Sequence, residues 1–199
     1  IDGWAFFRCT SLVSIDIPNS VTRIFGKAFY GTSLTSVTIP SSVERIYEWT
    51  FKDCTALTSV TIPSSVVTMD LTAFEGSNAI TKLVLDTPLV GTVNNFTAEY
   101  FPGSVSVVKT IVIESSVKKM ADKFCYYCTS LSEVTIGESV EVIGERALKG
   151  CSAVTSIVVP NSVTTVGDSA MNAMTSLESV TLGSSVSYIG WYCFSGCSA

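Results

Sequence analysis

The chain has 199 residues, a net charge of −5 and no histidine. The lack of histidine excludes Ser–His and Cys–His nucleophile pairs and the commonest general base, so the composition argues against an enzyme. Because nucleic acids bind basic faces, the acidic composition also argues against a nucleic-acid partner. Hydrophobic residues make up 47% of the chain, but no run approaches the about 18 apolar residues of a transmembrane segment, and we predict none.

An apolar residue, most often leucine, begins a repeat that returns every 22 or 23 residues, with one interval of 28. A fixed period in the twenties is typical of a leucine-rich solenoid, in which each coil buries its apolar side chains against its neighbours. We therefore predict a single solenoid domain over residues 1–199, with about eight coils. The coils begin at Leu12, Leu34, Leu57, Ile80, Val108, Leu131, Val154 and Leu177.

Each coil opens with an alternation of apolar and polar residues, as in Val37-Thr38-Ile39. This period of two predicts a short strand with one buried face, and its β-branched residues suit a pleated surface. Apolar residues at the tenth and thirteenth positions predict a second buried side. The strands of successive coils should form one parallel β-sheet. Proline cannot donate to a ladder and ends the predicted strand in four coils, at Pro18, Pro40, Pro63 and Pro160.

The fourth coil is longer than the others and loses the repeat pattern. Insertions in solenoids usually form a loop on one face, and such loops often carry binding residues. We therefore predict an irregular insertion loop at 87–106, with Phe96, Tyr100 and Phe101 as candidate binding residues. The alternative is a decayed repeat that merely bulges outward. Asn95 begins the only N-x-T sequon of the chain and is a candidate glycosylation site if a eukaryote secretes the protein.

The outward side chains of the predicted strands are mostly serine, threonine and valine. Charged residues interrupt this pattern at the third position, where Lys82, Thr110 and Glu133 occupy successive coils and are candidate binding residues. The alternative is an ordinary solvated sheet face, because binding surfaces usually contain tryptophan, tyrosine or arginine. Aromatic residues occupy the sixteenth position instead, at Trp4 and Trp49, where they either pack along the coil edge or form a contact patch.

Five of the seven cysteines share one turn position of the repeat. Free cysteine is among the most buried residue types, so we predict structural thiols within the stack. Cys125-x-x-Cys128 suggests zinc, but the chain has no second such pair and no histidine, and we expect no metal and no cofactor. A disulfide between stacked coils, such as Cys128 with Cys151, is a further alternative. The five are Cys9, Cys54, Cys128, Cys151 and Cys197.

The running pattern L-x-x-V-x-I-P-x-S-V-x-x-I-G-x-x-A-F-x-G-C resembles the BspA-like, or Treponema-type, class of leucine-rich repeat. The resemblance covers essentially the whole chain and is weakest over residues 80–107. It implies a right-handed, curved solenoid with a parallel sheet. It also implies a surface or secreted protein of a bacterium or a protozoan parasite, often linked to adhesion. The class has no common set of catalytic residues, so none is transferred to this chain.

These observations together predict a non-catalytic protein-binding module of a cell-surface or extracellular adhesin. Its partner is expected to be a host protein, a matrix protein or a second copy of the chain. A structural scaffold, in which repeats build an assembly, is the alternative, and a targeting segment of a larger enzyme is a third. Because Ile1 matches the thirteenth position of the repeat and Ala199 precedes the start of a coil, we expect a piece of a longer chain.

Overall fold

The computed structural model describes residues 1–199, and its strands are short and pair only in parallel. Its one α-helix has five residues, far fewer than a helix needs to cross a bilayer. In chain order the strands are β1 (Ser36–Thr38), β2 (Arg45–Ile46), β3 (Ser59–Ile62), β4 (Thr68–Met69), β5 (Lys82–Leu85), β6 (Thr110–Ile113), β7 (Lys119–Met120), β8 (Glu133–Thr135), β9 (Val142–Ile143), β10 (Ser156–Val158), β11 (Thr165–Val166), β12 (Ser179–Thr181) and β13 (Tyr188–Ile189).

The strands that the sequence predicts form the front of the stack, which we call the front sheet. They follow one another in the order β1-β3-β5-β6-β8, and then as the pair β10-β12. Paired residues occupy the same repeat position, as Val37 and Val60 do, and both valines are buried. The predicted parallel solenoid is therefore confirmed. The coil that begins at Leu12 forms no strand, and its outward fifth position is Asp16, a residue type disfavoured in strands.

A second row of strands, which the sequence does not predict, lies on the back of the stack. It consists of β2-β4 and, separately, β7-β9-β11-β13. These strands have two residues each, too few for an alternation to be recognised in the sequence. Their inward residues, such as Ile46 and Met69, occupy the thirteenth position and are buried as expected. The prediction of one sheet is thus incomplete, because the core lies between two rows of strands.

The fourth coil separates the two groups of back strands. A 3-10 helix (Pro88–Gly91) and a short α-helix, α1 (Phe96–Tyr100), take the place of its second strand. The chain here is tied to the next coil, since the backbone N–H and the hydroxyl of Thr97 both donate to the Phe124 carbonyl, at 3.1 and 2.8 Å. The segment 87–106, for which the loss of pattern predicts an irregular loop, therefore contains two short helices and is bonded to the next coil.

One contiguous hydrophobic core runs through the coils. Its centre is a file of phenylalanine rings that passes from coil to coil. The centroids of Phe29, Phe51 and Phe74 follow one another at 5.3 and 5.2 Å. The fourth coil continues the file with Phe101, 4.9 Å from Phe74, and Phe96, 6.1 Å from Phe101. Close ring pairs of this kind stabilise a core beyond the area that they bury.

Side-chain hydroxyls and thiols connect successive coils as well. Ser42, Ser65 and Ser162 each donate to the carbonyl oxygen of a valine in the preceding coil, at 2.6, 2.7 and 2.6 Å. The thiols of Cys54 and Cys151 donate to carbonyl oxygens of the preceding coil at 3.1 and 3.2 Å. These serine and cysteine side chains therefore hold neighbouring coils together and are not available to a binding partner.

The cysteines are mostly buried, as predicted, while Cys9 is exposed. Burial raises the pKa of the Cys151 thiol to about 12 and that of Cys193 to about 11. Cys125 and Cys128 form a disulfide within one coil. Cys151 is a free thiol, so the alternative of a disulfide between stacked coils at Cys128 and Cys151 is not realised. No three metal-ligating side chains lie close enough together to hold a metal ion.

Two buried serines provide a matched test of the inter-coil hydrogen bonds. The Ser77 hydroxyl donates to the Phe51 carbonyl at 2.6 Å and accepts from the Cys54 N–H at 2.9 Å. Ser104 is equally buried, but its hydroxyl has no hydrogen-bond partner. We expect Ser77→Ala to lower the free energy of unfolding by about 1–3 kcal/mol and Ser104→Ala to leave it unchanged or raise it. Guanidinium denaturation measures both, and equal losses would contradict this assignment.

Candidate binding surfaces

The strand register places Lys82, Thr110 and Glu133 side by side on the front sheet, and we call these three residues the front row. Lys82 and Glu133 are exposed, and the Thr110 hydroxyl donates to Glu133 Oε2 at 3.3 Å. Neighbouring strands lie about 4.8 Å apart, so the two charged residues are about two strand spacings apart. Neither takes part in an ion pair. Both charges therefore remain available to a partner.

Valines lie two residues after Lys82 and Thr110 on their strands, and another lies at the same position of β10. Val84 and Val112 are half-buried, whereas Val158 is 63% exposed. The ladder is interrupted between β8 and β10, and a shallow groove of about 310 Å³ between them is lined by Glu133, Glu138 and Val158 among others. The front sheet thus offers charge, hydroxyls and apolar area on one open face. Such a face suits a protein partner better than a small molecule, which usually binds in a deep pocket.

The structure removes the three aromatic candidates of the fourth coil from the surface. Phe96, Tyr100 and Phe101 are 0%, 5% and 1% exposed. They are core residues, because α1 directs its aromatic side chains towards the phenylalanine file. Asn95 immediately precedes α1 and is half-buried, while the Thr97 hydroxyl of the same sequon is buried and hydrogen-bonded to the backbone. Of the predicted site residues, only the front row forms an accessible group.

A second surface lies along the turns of the first coils, and the sequence pattern points to it only through its two tryptophans. The Lys27 ammonium lies over both indole rings, 4.1 Å from the centroid of Trp4 and 4.6 Å from that of Trp49. In the same region an arginine guanidinium lies 4.6 Å from a tyrosine ring centroid. We call this the aromatic–cation surface. It consists of Trp4, Phe25, Lys27, Arg45, Tyr47 and Trp49.

The turn conformation explains why the sequence does not reveal this surface. Trp4, Lys27 and Trp49 all have left-handed backbone conformations, with φ of 67°, 61° and 55°. Later coils keep this conformation with Lys123 and Ser169 at the same position, with φ of 56° and 55°. The conformation belongs to the coil and costs a non-glycine residue about 1–2 kcal/mol. Burial of the indole ring does little to offset this cost at Trp4, because Trp4 is 54% exposed.

The sequence carries one signal for this surface, namely tryptophan at the same turn position of two coils that are separated by one coil. Sequence alone does not show that the lysine of the intervening coil lies between the two tryptophans. That contact depends on stacking three left-handed turns in register. Tyr192 shares the sixteenth position but lies in the last coil, where Tyr192 and Trp191 are 69% and 73% exposed, and it does not join the surface.

The repeat matches known proteins along the whole chain. A family model described as "BspA type Leucine rich repeat region" matches six copies, over residues 1–107 and 89–199. A search of curated protein sequences returned no match. The chain is similar in fold to a leucine-rich repeat protein from Bacteroides ovatus, with 21% identity and a TM-score of 0.47, over 98% of this chain and 73% of that one.

Two further solved structures are similar over most of this chain. One is a leucine-rich cell-surface protein from Faecalibacterium prausnitzii, with 24% identity, a TM-score of 0.46 and coverage of 99% of this chain and 54% of that one. The other is a leucine-rich repeat protein from T. pallidum, with 20% identity, a TM-score of 0.46 and coverage of 87% of this chain and 80% of that one. The chain thus spans only about half the length of the F. prausnitzii protein.

Proposed function

Because the chain belongs to the BspA-type leucine-rich repeat family, we propose that it is a non-catalytic protein-binding module of a cell-surface or secreted adhesin. Binding to a protein is the activity that a repeat array of this kind supports, since stacked coils create an extended surface. The adhesin role and the location outside the cell rest on the family. The partner is a host or matrix protein, or another cell's surface protein.

The observation that supports this proposal is the front row, Lys82, Thr110 and Glu133. Inward strand residues fill the core, and the neighbouring serines and threonines bind the preceding coil, as Thr81 does by donating to the Thr58 carbonyl at 3.3 Å. The only side-chain hydrogen bond of the front row lies within it, from the Thr110 hydroxyl to Glu133 Oε2, and Lys82 and Glu133 have no ion-pair partners. Charges of opposite sign on one face select a partner's orientation, while the adjacent valines supply apolar area.

The test is a charge reversal that leaves the net charge unchanged. The double variant K82E/E133K inverts the front row, and K118E/E141K is its matched control. The control exchanges an exposed ion pair, with 3.6 Å between the charged atoms, outside the front sheet. Labelled chain is applied to immobilised extracellular-matrix proteins and to intact epithelial and bacterial cells. We expect K82E/E133K to reduce retention by at least about tenfold and K118E/E141K to retain it.

Two results would overturn the proposal. One is retention no greater than on blank surfaces for the unaltered chain, and the other is equal retention by both double variants. Sedimentation analysis of the same samples separates binding from self-assembly, because concentration-dependent growth without capture supports a scaffold instead. Location is tested on intact, non-permeabilised cells of the source organism, where an antibody to the chain should label the surface.

A further inference from the structure

We propose that the aromatic–cation surface is a second binding site, separate from the front sheet, and that it takes an acidic segment of a partner polypeptide. This site lies on the turns and on the back strand β2 of the first coils, whereas the front row lies on the front strands of the middle coils. Its function does not depend on the front row, so either proposal can fail alone. Three features of the molecule support it: which residues the fold requires, how the cations are held, and the shape of the clefts.

The fold does not require the aromatic residues of this surface. Phe25 and Tyr47 occupy the fourteenth position of their coils, where three later coils have glycine. Trp49 occupies a sixteenth position that other coils fill with lysine, arginine or serine. The repeat therefore folds with small or polar residues at these points. Large aromatic side chains nevertheless occur together at these positions and are only half-buried. Such a group of partly exposed rings indicates a contact surface.

The cations of this surface are held by rings and not by carboxylates. Lys27 lies over two tryptophans, and Arg45 lies over Tyr47. Neither cation takes part in an ion pair, and the ion pairs of the protein involve Lys52, Lys118 and Arg146. A ring face positions a cation without neutralising its charge. Lys27 and Arg45 are thus positive charges without an ion-pair partner on a chain whose net charge is −5.

Two clefts give this surface the shape of an extended site. One has a volume of about 720 Å³ and is lined by two carboxylates, two cations and three aromatic residues, namely Asp2, Glu48, Lys27, Arg45, Trp4, Phe25 and Tyr47. The other, of about 270 Å³, lies between the two tryptophans and also contains Lys27. The clefts share Trp4 and Lys27, so one extended chain can occupy both. The carboxylates of Asp2 and Glu48 limit where a partner's acidic groups can lie.

The way the rings are covered favours a polypeptide over an acidic polysaccharide. Sugars bind aromatic side chains through an open ring face, but Lys27 lies over one face of each tryptophan and Arg45 lies over one face of Tyr47. The indole N–H of Trp49 is also occupied, because it donates to Glu75 Oε2 at 3.2 Å. Tryptophan, tyrosine and arginine are also the residues that dominate protein–protein binding energy. An acidic segment with interspersed aromatic or apolar side chains satisfies both parts of the surface.

The probe for this site is a random copolymer of glutamate and tyrosine, with heparin as the anionic polysaccharide. Binding to the intact chain is measured by tryptophan fluorescence and by calorimetry. We expect the copolymer to bind, heparin not to bind, and the affinity to fall as salt is raised. The Lys27→Glu variant should weaken binding by at least about tenfold, because it places a carboxylate between the two tryptophans.

The matched control is Lys123→Glu, which makes the same change at the same left-handed turn position of a later coil. It should bind the copolymer like the unaltered chain, as should K82E/E133K, whose substitutions lie on the front sheet. A second variant, Trp49→Ala, should also weaken binding, and its melting temperature shows whether the fold is kept. Absence of copolymer binding, binding of heparin instead, or equal weakening by Lys27→Glu and Lys123→Glu would overturn the proposal.

Discussion

Replacing Phe51 by alanine is expected to lower the free energy of unfolding by about 3–5 kcal/mol. The Phe51 ring is fully buried and lies between Phe29 and Phe74, with centroid distances of 5.3 and 5.2 Å. Alanine removes buried apolar area and leaves a cavity. The coils cannot close over that cavity, because backbone bonds such as Phe51 N–H to the Ala73 carbonyl, at 2.8 Å, fix their spacing.

The solenoid architecture determines where this loss appears. Each coil contacts only its neighbours, so a defect in one coil weakens two interfaces and partly separates the stack on either side. We expect hydrogen exchange to accelerate first in the coil that contains Phe51 and in the two coils beside it, which contain Phe29 and Phe74. Guanidinium denaturation gives the total change, with Phe25→Ala as a control whose half-buried ring should cost about 1 kcal/mol. Equal losses in the two variants would contradict the role of the phenylalanine file.

The positions of the core residues are predictable from the sequence because one physical rule repeats in every coil. A residue that is buried in one coil is buried in the next, so the period alone identifies Val37 and Val60 as stacked partners, as the register confirms. The same rule, applied to the sequence alone, places Lys82, Thr110 and Glu133 next to one another. The two-residue back strands escape prediction, because backbone pairing of that length leaves no pattern in the side chains.

The rule that equivalent positions are buried in successive coils does not predict the burial of the fourth coil. Phe96 still shares the seventeenth position with Phe124 of the next coil, but Tyr100 and Phe101 fall at positions where no other coil has an aromatic residue, and the pattern suggests an exposed loop. The structure absorbs the extra length in α1 and the 3-10 helix, and Phe96 and Phe101 then reach the same file of rings. Burial follows from the path of the backbone, which the period does not describe. The sequence does not reveal the contact of Lys27 with Trp4 and Trp49 for the same reason.

Replacing Phe96 by alanine is the sharpest test of that correction, with an expected loss of about 3–5 kcal/mol in the free energy of unfolding. The Phe96 ring is fully buried and lies 5.6 Å from the ring of Phe124 and 5.1 Å from that of Tyr100. A helix of five residues is not stable by itself. Burial of Phe96 therefore holds α1 in place, and alanine should release α1 and interrupt the phenylalanine file.

Glu99→Ala is the matched control, because Glu99 lies in the same helix with an exposed side chain. It should change the free energy of unfolding by no more than about 0.5 kcal/mol. Denaturation and capture on matrix proteins are measured on both variants. If Phe96→Ala kept its stability and lost capture, the segment would be a binding loop after all. A loss of stability confined to Phe96→Ala would show that the longest coil is built around the same file of rings as its neighbours.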